Sequence, residues 1–179
     1  MIRGFLVAAL LFLATSVHAQ TVTVVANLDM NRYAGKWYEI ARFPNKFQNQ
    51  CISDVDATYV KRADGDIDVI NRCKTATGTI EEAVGRAKVP HPDTMAKLKV
   101  RFAPQWLSWL PMVWADYWVL DLAPDYSVAA VGDPTRKYLW ILSRNKVVAD
   151  SVYQAQIKRL AAQGYDTSRL VPTPQTVLK

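Results

Sequence analysis

Residues 31–42 read Asn-Arg-Tyr-Ala-Gly-Lys-Trp-Tyr-Glu-Ile-Ala-Arg, and residues 138–144 read Tyr-Leu-Trp-Ile-Leu-Ser-Arg. The first stretch has a glycine two residues before a tryptophan, and the tryptophan opens the alternating pattern of a β-strand. The second stretch alternates in the same way and ends in an arginine. Either stretch alone indicates little more than a buried tryptophan or a charged strand end. Together, each on its own strand, they indicate one particular fold.

The two stretches resemble the signature of the lipocalin family, in which a Gly-x-Trp strand start is matched by a late strand ending in arginine. Gly35, Trp37 and Arg144 carry the resemblance, and residues 38–44 are similar to the bacterial and apolipoprotein D-like branch. The resemblance implies that Trp37 fills the closed end of a β-barrel and that Arg144 lies across its ring, a cation–π contact. It extends over residues 28–175.

The rest of the chain predicts eight strands separated by turn residues, and eight antiparallel strands can close a barrel around one small ligand. A helix should follow the last strand, because Ser151 and Gln154 fit a capping box, an apolar stripe follows and Gly164 can end it. The stripe should pack on the outside of the barrel; a membrane-surface helix is the alternative. We therefore expect an all-β, eight-stranded antiparallel up-and-down barrel with one C-terminal flanking α-helix. The predicted strands are 36–43, 55–61, 67–73, 79–88, 95–102, 114–121, 127–131 and 138–143.

The N-terminus reads as a signal peptide. Arg3 gives the positive start, residues 5–13 form the apolar run, and Val17-His18-Ala19 is a cleavage site. Cleavage after Ala19 leaves one domain, residues 20–179. No cysteine stands near the cleavage site, so we expect an exported, periplasmic protein of the cell envelope without a lipid anchor. The formal net charge is +6, but the basic residues are scattered along the sequence, which argues against nucleic-acid binding.

Cys51 and Cys73 are the only two cysteines, and export places them in an oxidising compartment. We expect a disulfide between them; a reactive thiol is the alternative. A tight hairpin turn at Asp64-Gly65 would put Cys73 opposite Asp56 rather than Cys51. The bridge would then need the segment around Cys51 to fold back as a loop.

Strand alternation predicts the wall of a ligand cavity. With Trp37 inward, Glu39 and Ala41 also face the cavity, and the resemblance adds Tyr59 and Asn71. Such a wall suits a hydrophobic ligand with a polar head, and the resemblance implies a fatty acid or lysophospholipid. The alternative is that these side chains only fill the barrel. The expected ligand-binding residues are Glu39, Ala41, Ala57, Tyr59, Val69, Asn71, Tyr138 and Trp140.

Glu39 is the one carboxylate in this set. Burial disfavours its charged form unless the group is paired. Three roles are open, in decreasing order of preference: a structural hydrogen-bond acceptor, a contact for the ligand head, and a catalytic acid. A single carboxylate without an identified partner is weak support for catalysis.

Residues 103–113 form an apolar loop between two prolines at the predicted open end. Loops are normally polar, so such a cluster indicates a partner, a membrane interface or a ligand portal. The loop either meets a membrane surface or folds inward to cap the cavity. Both alternatives place it at the ligand entrance, and its expected entrance residues are Trp106, Leu107, Trp109 and Leu110.

Few residues support other chemistry. His91 is the only histidine after the predicted cleavage, which excludes a histidine-based triad and a multi-histidine metal site. We expect no metal site, no cofactor and no enzymatic activity. The sequence predicts a carrier or store for a small lipophilic ligand, as a monomer or homodimer. One rival is a lipocalin-fold enzyme acting on a lipophilic substrate through Cys51, Cys73 or Glu39. Another is a membrane-surface interaction module that uses the 103–113 loop.

Overall fold

The computed structural model of the protein describes residues 21–90 and 92–177; the predicted signal peptide and His91 lie outside this part. Nine strands form one antiparallel sheet in the order β2-β3-β4-β5-β6-β7-β8-β1-β9, and β1 also pairs with β2, which closes a barrel. The eight-stranded barrel is confirmed, and the two-residue β9 is an addition to it. The elements are α1 (Met30–Tyr33), β1 (Gly35–Arg42), β2 (Cys51–Lys61), β3 (Ile67–Thr75), β4 (Ile80–Lys88), β5 (Lys97–Arg101), β6 (Ala115–Leu122), β7 (Val128–Gly132), β8 (Leu139–Ser143), α2 (Asp150–Ala162) and β9 (Val171–Pro172), with 3₁₀ helices at Lys46–Gln48, Pro92–Thr94, Gln105–Leu107, Pro111–Val113 and Thr167–Arg169.

Two apolar layers hold this barrel together. Alternate side chains of the strands point inward and form the inner core around Trp37, while the others form an outer core beneath α2. Leu160 of α2 is fully buried in the outer core, so the helix packs on the outside of the barrel as predicted. Each strand therefore turns one face to the inner core and the other face to the outer core or to solvent.

The predicted start of α2 is wrong in detail. The helix begins at Asp150, and its N-cap is Ala149 without a side-chain cap, so Ser151 lies inside the first turn. The predicted stripe of Tyr153, Ile157, Leu160 and Ala161 also differs, because Ala161 is exposed. Gln156 is buried instead, and it donates to Asp121 on β6.

A β-bulge changes the direction of the side chains in β1. Glu39 pairs with Leu142 of β8, but Ala41 pairs with Ile141, so one extra β1 residue is inserted between them. The alternation expected from Trp37 is therefore reversed after Glu39. Ala41 lies in the outer core with Ile141, which corrects its predicted place in the cavity wall.

The C-terminal tail completes the wall of the barrel. The first half of β1 pairs with β2, but its second half pairs with β9. The backbone N–H of Thr173 donates to the carbonyl of Ile40, and the N–H of Asp54 donates to the carbonyl of Pro174. The tail thus fills the gap where β1 and β2 diverge.

The disulfide between Cys51 and Cys73 is confirmed, with a Cα–Cα distance of 5.5 Å. The hairpin register predicted that the segment around Cys51 folds back as a loop, and this prediction is wrong. The segment stays in β2, where two register shifts between Cys51 and Asp56 bring Cys51 opposite Thr75. Asp54, with a φ of 51°, lies within this irregular stretch.

The ladder between β4 and β5 is short. It has three residue pairs, from Arg86 opposite Arg101 to Lys88 opposite Lys99. The first five residues of β4, Ile80 to Val84, pair with β3 but not with another described strand on their other side. All five are exposed, including inward-facing Ala83, because the chain leaves the sheet after Arg101.

Candidate ligand-binding site

The closed end of the barrel is built around Trp37, which has no solvent exposure. The guanidinium carbon of Arg144 lies 3.9 Å from the centroid of its ring. The same guanidinium donates to the backbone carbonyls of Arg32, Tyr33, Ala34 and Lys36 at 2.7–3.0 Å. Arg144 therefore fastens the turn before β1 to the end of β8.

Gly35 has a reason to be glycine at this end. Its φ is +93°, a conformation that side chains disfavour, and an added Cβ would lie 3.4 Å from Nη1 of Arg144. The glycine of the Gly-x-Trp start is thus favoured by the backbone conformation at this position.

Three tyrosines form the floor above Trp37, of which Tyr33 and Tyr59 are buried and Tyr117 is half-buried. The hydroxyl of Tyr117 is hydrogen-bonded to that of Tyr33 at 2.9 Å and to that of Tyr59 at 2.6 Å. Burial raises the pKa of Tyr59 to about 12 and raises the pKa values of Tyr33 and Tyr117 well above 10.0. The three tyrosines are consequently uncharged at neutral pH, and their hydroxyl groups are hydrogen-bonded to one another.

Glu39 lies in a closed polar network on the β1 side of the interior. Its side chain is 3% exposed, and its carboxylate accepts hydrogen bonds from Arg42 at 2.6 Å, from Gln48 at 2.7 Å and from Thr173. Gln48 in turn accepts from the indole N–H of Trp140 at 2.9 Å. The network joins β1, the β1–β2 connection, β8 and the tail. Its geometry fits the structural role for Glu39.

The interior is accessible in a different region, along β3 and residues 80–84 of β4. This part of β4 is called its unpaired half, because it pairs with β3 but has no strand on its other side among the described residues. Ala57 of the inner core stands opposite Asn71, which stands opposite Ala83, so all three point inward. Asn71 is half-buried and Ala83 is exposed. Solvent therefore reaches the inner wall here.

Gly85, on the same face of β4, leaves room for the ring of Phe102. An added Cβ at Gly85 would lie 2.7 Å from that ring. Phe102 itself is 44% exposed, and it directly precedes the apolar loop. An aromatic ring thus borders the accessible part of the wall.

Apart from Glu39, the predicted ligand-binding residues differ in their surroundings. Ala57, Tyr59 and Val69 are buried in the inner core, which matches the alternative that they fill the barrel. Tyr138 and Trp140 are half-buried and stacked, with ring centroids 5.9 Å apart. Asn71 is also half-buried, whereas Ala41 lies in the outer core.

Sequence reasoning missed several residues of this interior. Arg42 faces inward because of the bulge in β1, and Thr173 reaches the interior from the tail. Neither has a local signal, since strand alternation assigns Arg42 to the outside. Tyr117 and Ala83 could have been found by applying the alternation rule to β6 and β4.

The entrance loop does not fold inward over the cavity. Trp106 is 73% exposed, Trp109 is 75% exposed and Met112 is 86% exposed. Leu107 and Leu110 are half-buried, and the indole N–H of Trp114 donates to the carbonyl of Ser108 at 2.8 Å. The loop is an ordered turn that presents its largest apolar side chains to solvent.

A concave region lies at the closed end. It is a cleft of 300 Å³ beneath α1, separate from the wall formed by Asn71 and Ala83. Its lining includes Met30, Lys61 and Met95. Within residues 21–90 and 92–177, no group of three His, Cys, Asp or Glu side chains is placed to hold a metal ion. No helix in that part of the chain is long and apolar enough to cross a membrane.

A closed antiparallel barrel with a partly open inner wall defines the class of small barrels that enclose ligands. The lipocalin-like domain model matches residues 28–175. Temperature-induced lipocalin-1 of Arabidopsis thaliana is 44% identical over 156 residues, covering 86% of this chain and 82% of the plant protein. Outer membrane lipoprotein Blc of Escherichia coli K12 is 38% identical over 151 residues, with coverage of 84% and 81%. The chain belongs to the lipocalin family, in the branch that includes these proteins and apolipoprotein D.

Solved structures agree on the fold. Insecticyanin from the tobacco hornworm Manduca sexta superposes with a TM-score of 0.66 at 21% identity, covering 89% of this chain and 87% of that one. Apocrustacyanin C2 gives a TM-score of 0.65 at 21% identity, with coverage of 83% and 80%. At this identity the likeness concerns the barrel alone.

Proposed function

We propose that this protein binds a small lipophilic ligand inside the barrel and carries or stores it. The observation that carries the proposal is the accessible inner wall at Asn71 and Ala83, in a barrel whose closed end is sealed by Trp37. Ala57 and Ala83 on this wall are small, and the aromatic rings of Phe102 and Trp140 suit an apolar ligand. Membership of the lipocalin family supports the same function.

The ligand class we propose is a fatty acid or a lysophospholipid. A single acyl chain needs a narrow apolar channel, and Asn71 can donate to or accept from a polar head. Glu39 is not proposed as a head-group contact, because Arg42, Gln48 and Thr173 already occupy its carboxylate. The acyl chain would lie between the tyrosine floor and the unpaired half of β4.

We also propose that the protein is exported to the cell envelope. The relative from Escherichia coli is named as an outer membrane lipoprotein, which supports export. Residues 1–19 have the pattern of a cleavable signal peptide, with no cysteine near the cleavage site.

Binding rather than catalysis is the proposed activity. The thiol route to an enzyme is closed because both cysteines of the sequence are in the disulfide. The carboxylate route through Glu39 would need its ion pair with Arg42 to break.

Mass spectrometry of organic extracts tests the proposal. Protein purified without detergent should release single-chain lipids, and delipidated protein should then bind a fluorescent fatty acid that lysophospholipid displaces. An extract without lipid, together with failure to bind the fluorescent fatty acid, would overturn the carrier function. A bound lipid of another class would keep the carrier and replace the proposed ligand.

A further inference from the structure

A small concave pocket with three cationic side chains lies at the open end of the barrel, and we call it the rim pocket. Because Arg144 at the end of β8 lies beside Trp37 at the closed end, the residues before β8 lie at the open end. The connection after β1, the turn before β8 and the 3₁₀ helix before β9 form the pocket, whose volume is about 260 Å³. Its lining is Pro44, Asn45, Lys46, Lys137, Tyr138 and Arg169.

The three cations of the rim pocket have no acidic partner. Across residues 21–90 and 92–177, none of Lys46, Lys137 and Arg169 forms an ion pair with a carboxylate. Asp133, in the turn that carries Lys137, is buried and accepts from the backbone N–H of Tyr138 at 2.7 Å. Three like charges from distant parts of the chain therefore line one pocket, an arrangement that repels itself until an anion binds.

The two lysines rest against a pair of aromatic rings. Nζ of Lys46 lies 5.6 Å from the ring centroid of Phe47. Nζ of Lys137 lies 5.3 Å from the ring centroid of Tyr138. The two rings contact each other, with centroids 5.8 Å apart. A ring attracts an ammonium group through its face and leaves the N–H donors available, so both lysines can donate to a ligand.

Arg169 supplies the third cation from the C-terminal segment. Its guanidinium carbon lies 4.5 Å from the ring centroid of Phe43, which is buried. The backbone N–H of Arg169 donates to the carbonyl of Asp166 at 3.1 Å and fixes the turn. The planar guanidinium can donate two parallel hydrogen bonds to the oxygens of one phosphate.

The turn that carries Lys46 is also held in place. Asn45 is 9% exposed, and its side-chain amide donates to the carbonyl of Phe43 at 3.2 Å and to Gln48 at 2.9 Å. Its side-chain oxygen accepts from the backbone N–H of Phe47 at 3.1 Å. The pocket is therefore formed before a ligand binds, which reduces the entropy lost on binding.

Tyr138 connects the rim pocket to the interior of the barrel. Its ring stacks on that of Trp140, with centroids 5.9 Å apart, and Trp140 packs against the inner core. A ligand that leaves the interior along these two rings therefore reaches the three cations.

We propose that the rim pocket binds a phosphate group. Three cations suit a compact, multiply charged anion, and a phosphate can accept from Arg169 with two oxygens and from both lysines with the others. A carboxylate has too few oxygens to do the same. The phosphate is either the head of a single-chain lipid in the barrel, which rests on the proposed function, or part of a free phosphate compound, which does not.

Phosphorus NMR of inorganic phosphate tests the pocket without any lipid. Delipidated protein should broaden the phosphate resonance, and the broadening should decrease as sodium chloride rises. Lys46→Gln combined with Lys137→Gln and Arg169→Gln should remove it. All three side chains are exposed, so the variant should keep the urea midpoint and the fluorescent fatty-acid affinity of the original protein.

A matched control separates the pocket from net charge. Lys61→Gln with Lys97→Gln and Lys158→Gln removes three charges from the closed end, from β5 and from α2. This control should broaden the phosphate resonance as the original protein does. An equal loss of broadening in the control would overturn the proposal.

Competition between two lipids identifies the source of the phosphate. Lysophosphatidic acid and a monoacylglycerol of the same chain length differ only in the phosphate, and each is used to displace the fluorescent fatty acid. Lysophosphatidic acid should be the stronger competitor by about tenfold or more, since each exposed ion pair contributes a factor of roughly two to five. Loss of this preference in the triple pocket variant would assign the phosphate to a lipid head.

The remaining outcomes separate the pocket from the carrier function. Equal competition by the two lipids, with phosphate broadening that the pocket variant loses, would assign the pocket to a free phosphate compound. Neither broadening nor preference would overturn the pocket while fatty-acid binding kept the carrier function. Phosphate broadening without any fatty-acid binding would remove the carrier function and keep the pocket.

Discussion

Arg42 and Glu39 form an ion pair inside the barrel although they stand three residues apart on one strand. Their N–O distance is 2.6 Å, and the side chains are 17% and 3% exposed. In a regular strand residues at this spacing point to opposite faces. The bulge after Glu39 turns Arg42 inward, where it also donates to Thr173 of the tail at 3.1 Å. The pair thus connects a local irregularity of β1 to closure of the barrel by the C-terminus.

Loss of Glu39 should be strongly destabilising. Glu39→Ala leaves the Arg42 guanidinium buried without its anion and removes an acceptor from Gln48 and Thr173. We expect the free energy of unfolding to fall by ~3 kcal/mol or more, measured by urea denaturation. Glu82→Ala is the matched control, since Glu82 pairs with Arg72 while 44% exposed and should cost under ~1 kcal/mol. Equal small losses in both variants would contradict the structural role of Glu39.

The bulge also shows why the barrel was predictable but its interior was not. Strand number, the closed end at Trp37 and Arg144, and the outer helix depend on alternation and on residue types that a sequence displays. A single inserted residue reverses alternation without changing composition, so Ala41 was placed inside and Arg42 outside. The same cause misplaced Cys51, whose approach to Cys73 depends on two register shifts in β2. The contact of Thr173 with Glu39 joins distant parts of the chain and has no local pattern.

Removal of the disulfide should lower stability without opening the barrel. Cys51 and Cys73 are separated by 22 residues, and closing a loop of this size in the unfolded chain is worth ~3 kcal/mol. Cys51→Ser with Cys73→Ser should lose about that much in urea denaturation and keep its far-ultraviolet circular dichroism. Thiol titration of the unreduced, denatured protein should detect no free thiol. A stoichiometric thiol signal would contradict the pairing.

Arg144 should not be replaceable by lysine. A planar guanidinium can stack on Trp37 and donate to several carbonyls at once, which an ammonium group cannot do. Arg144→Lys should cost ~2 kcal/mol or more in unfolding free energy and weaken the near-ultraviolet dichroism of the tryptophans. Arg32→Lys is the control: Arg32 stacks on Tyr126 at 3.9 Å and donates to one carbonyl, of Pro124. A smaller loss there, under ~1 kcal/mol, is expected, and a reversed order would contradict the argument.

Alkaline pH should destabilise the tyrosine floor. The unfolded chain releases the Tyr59 proton near pH 10.0, but burial raises the pKa of Tyr59 in the folded protein to about 12. Between these values the folded state holds more protons, so the free energy of unfolding falls as pH rises. The loss attributable to Tyr59 is on the order of 3 kcal/mol. Below pH 10.0 this contribution should be fully present.

Urea denaturation from neutral pH to about pH 11 measures roughly half of this loss, because pH 11 lies midway between the two pKa values. Tyr59→Phe gives up one hydrogen bond to Tyr117, worth ~1 kcal/mol at neutral pH, and its stability should then fall less steeply above pH 10.0. Tyr38 lies on the outward face of β1, away from the tyrosine floor. Tyr38→Phe should therefore keep the original dependence of the unfolding free energy on pH. Identical slopes in all three proteins would show that Tyr59 is not protected by burial.

Blocking the unpaired half of β4 should remove ligand binding without unfolding the protein. Ala83 points inward and is exposed, so Ala83→Trp places an indole over the inner wall beside Asn71. We expect at least a tenfold loss of affinity for the fluorescent fatty acid, equal to about 1.4 kcal/mol, with unfolding free energy changed by less than ~1 kcal/mol. Val84→Trp adds the same side chain one residue along, on the outward face where valine is 60% exposed. It should bind like the original protein. If both variants bind normally, the acyl chain does not use this wall; if both fail, the effect comes from the strand edge rather than from the interior.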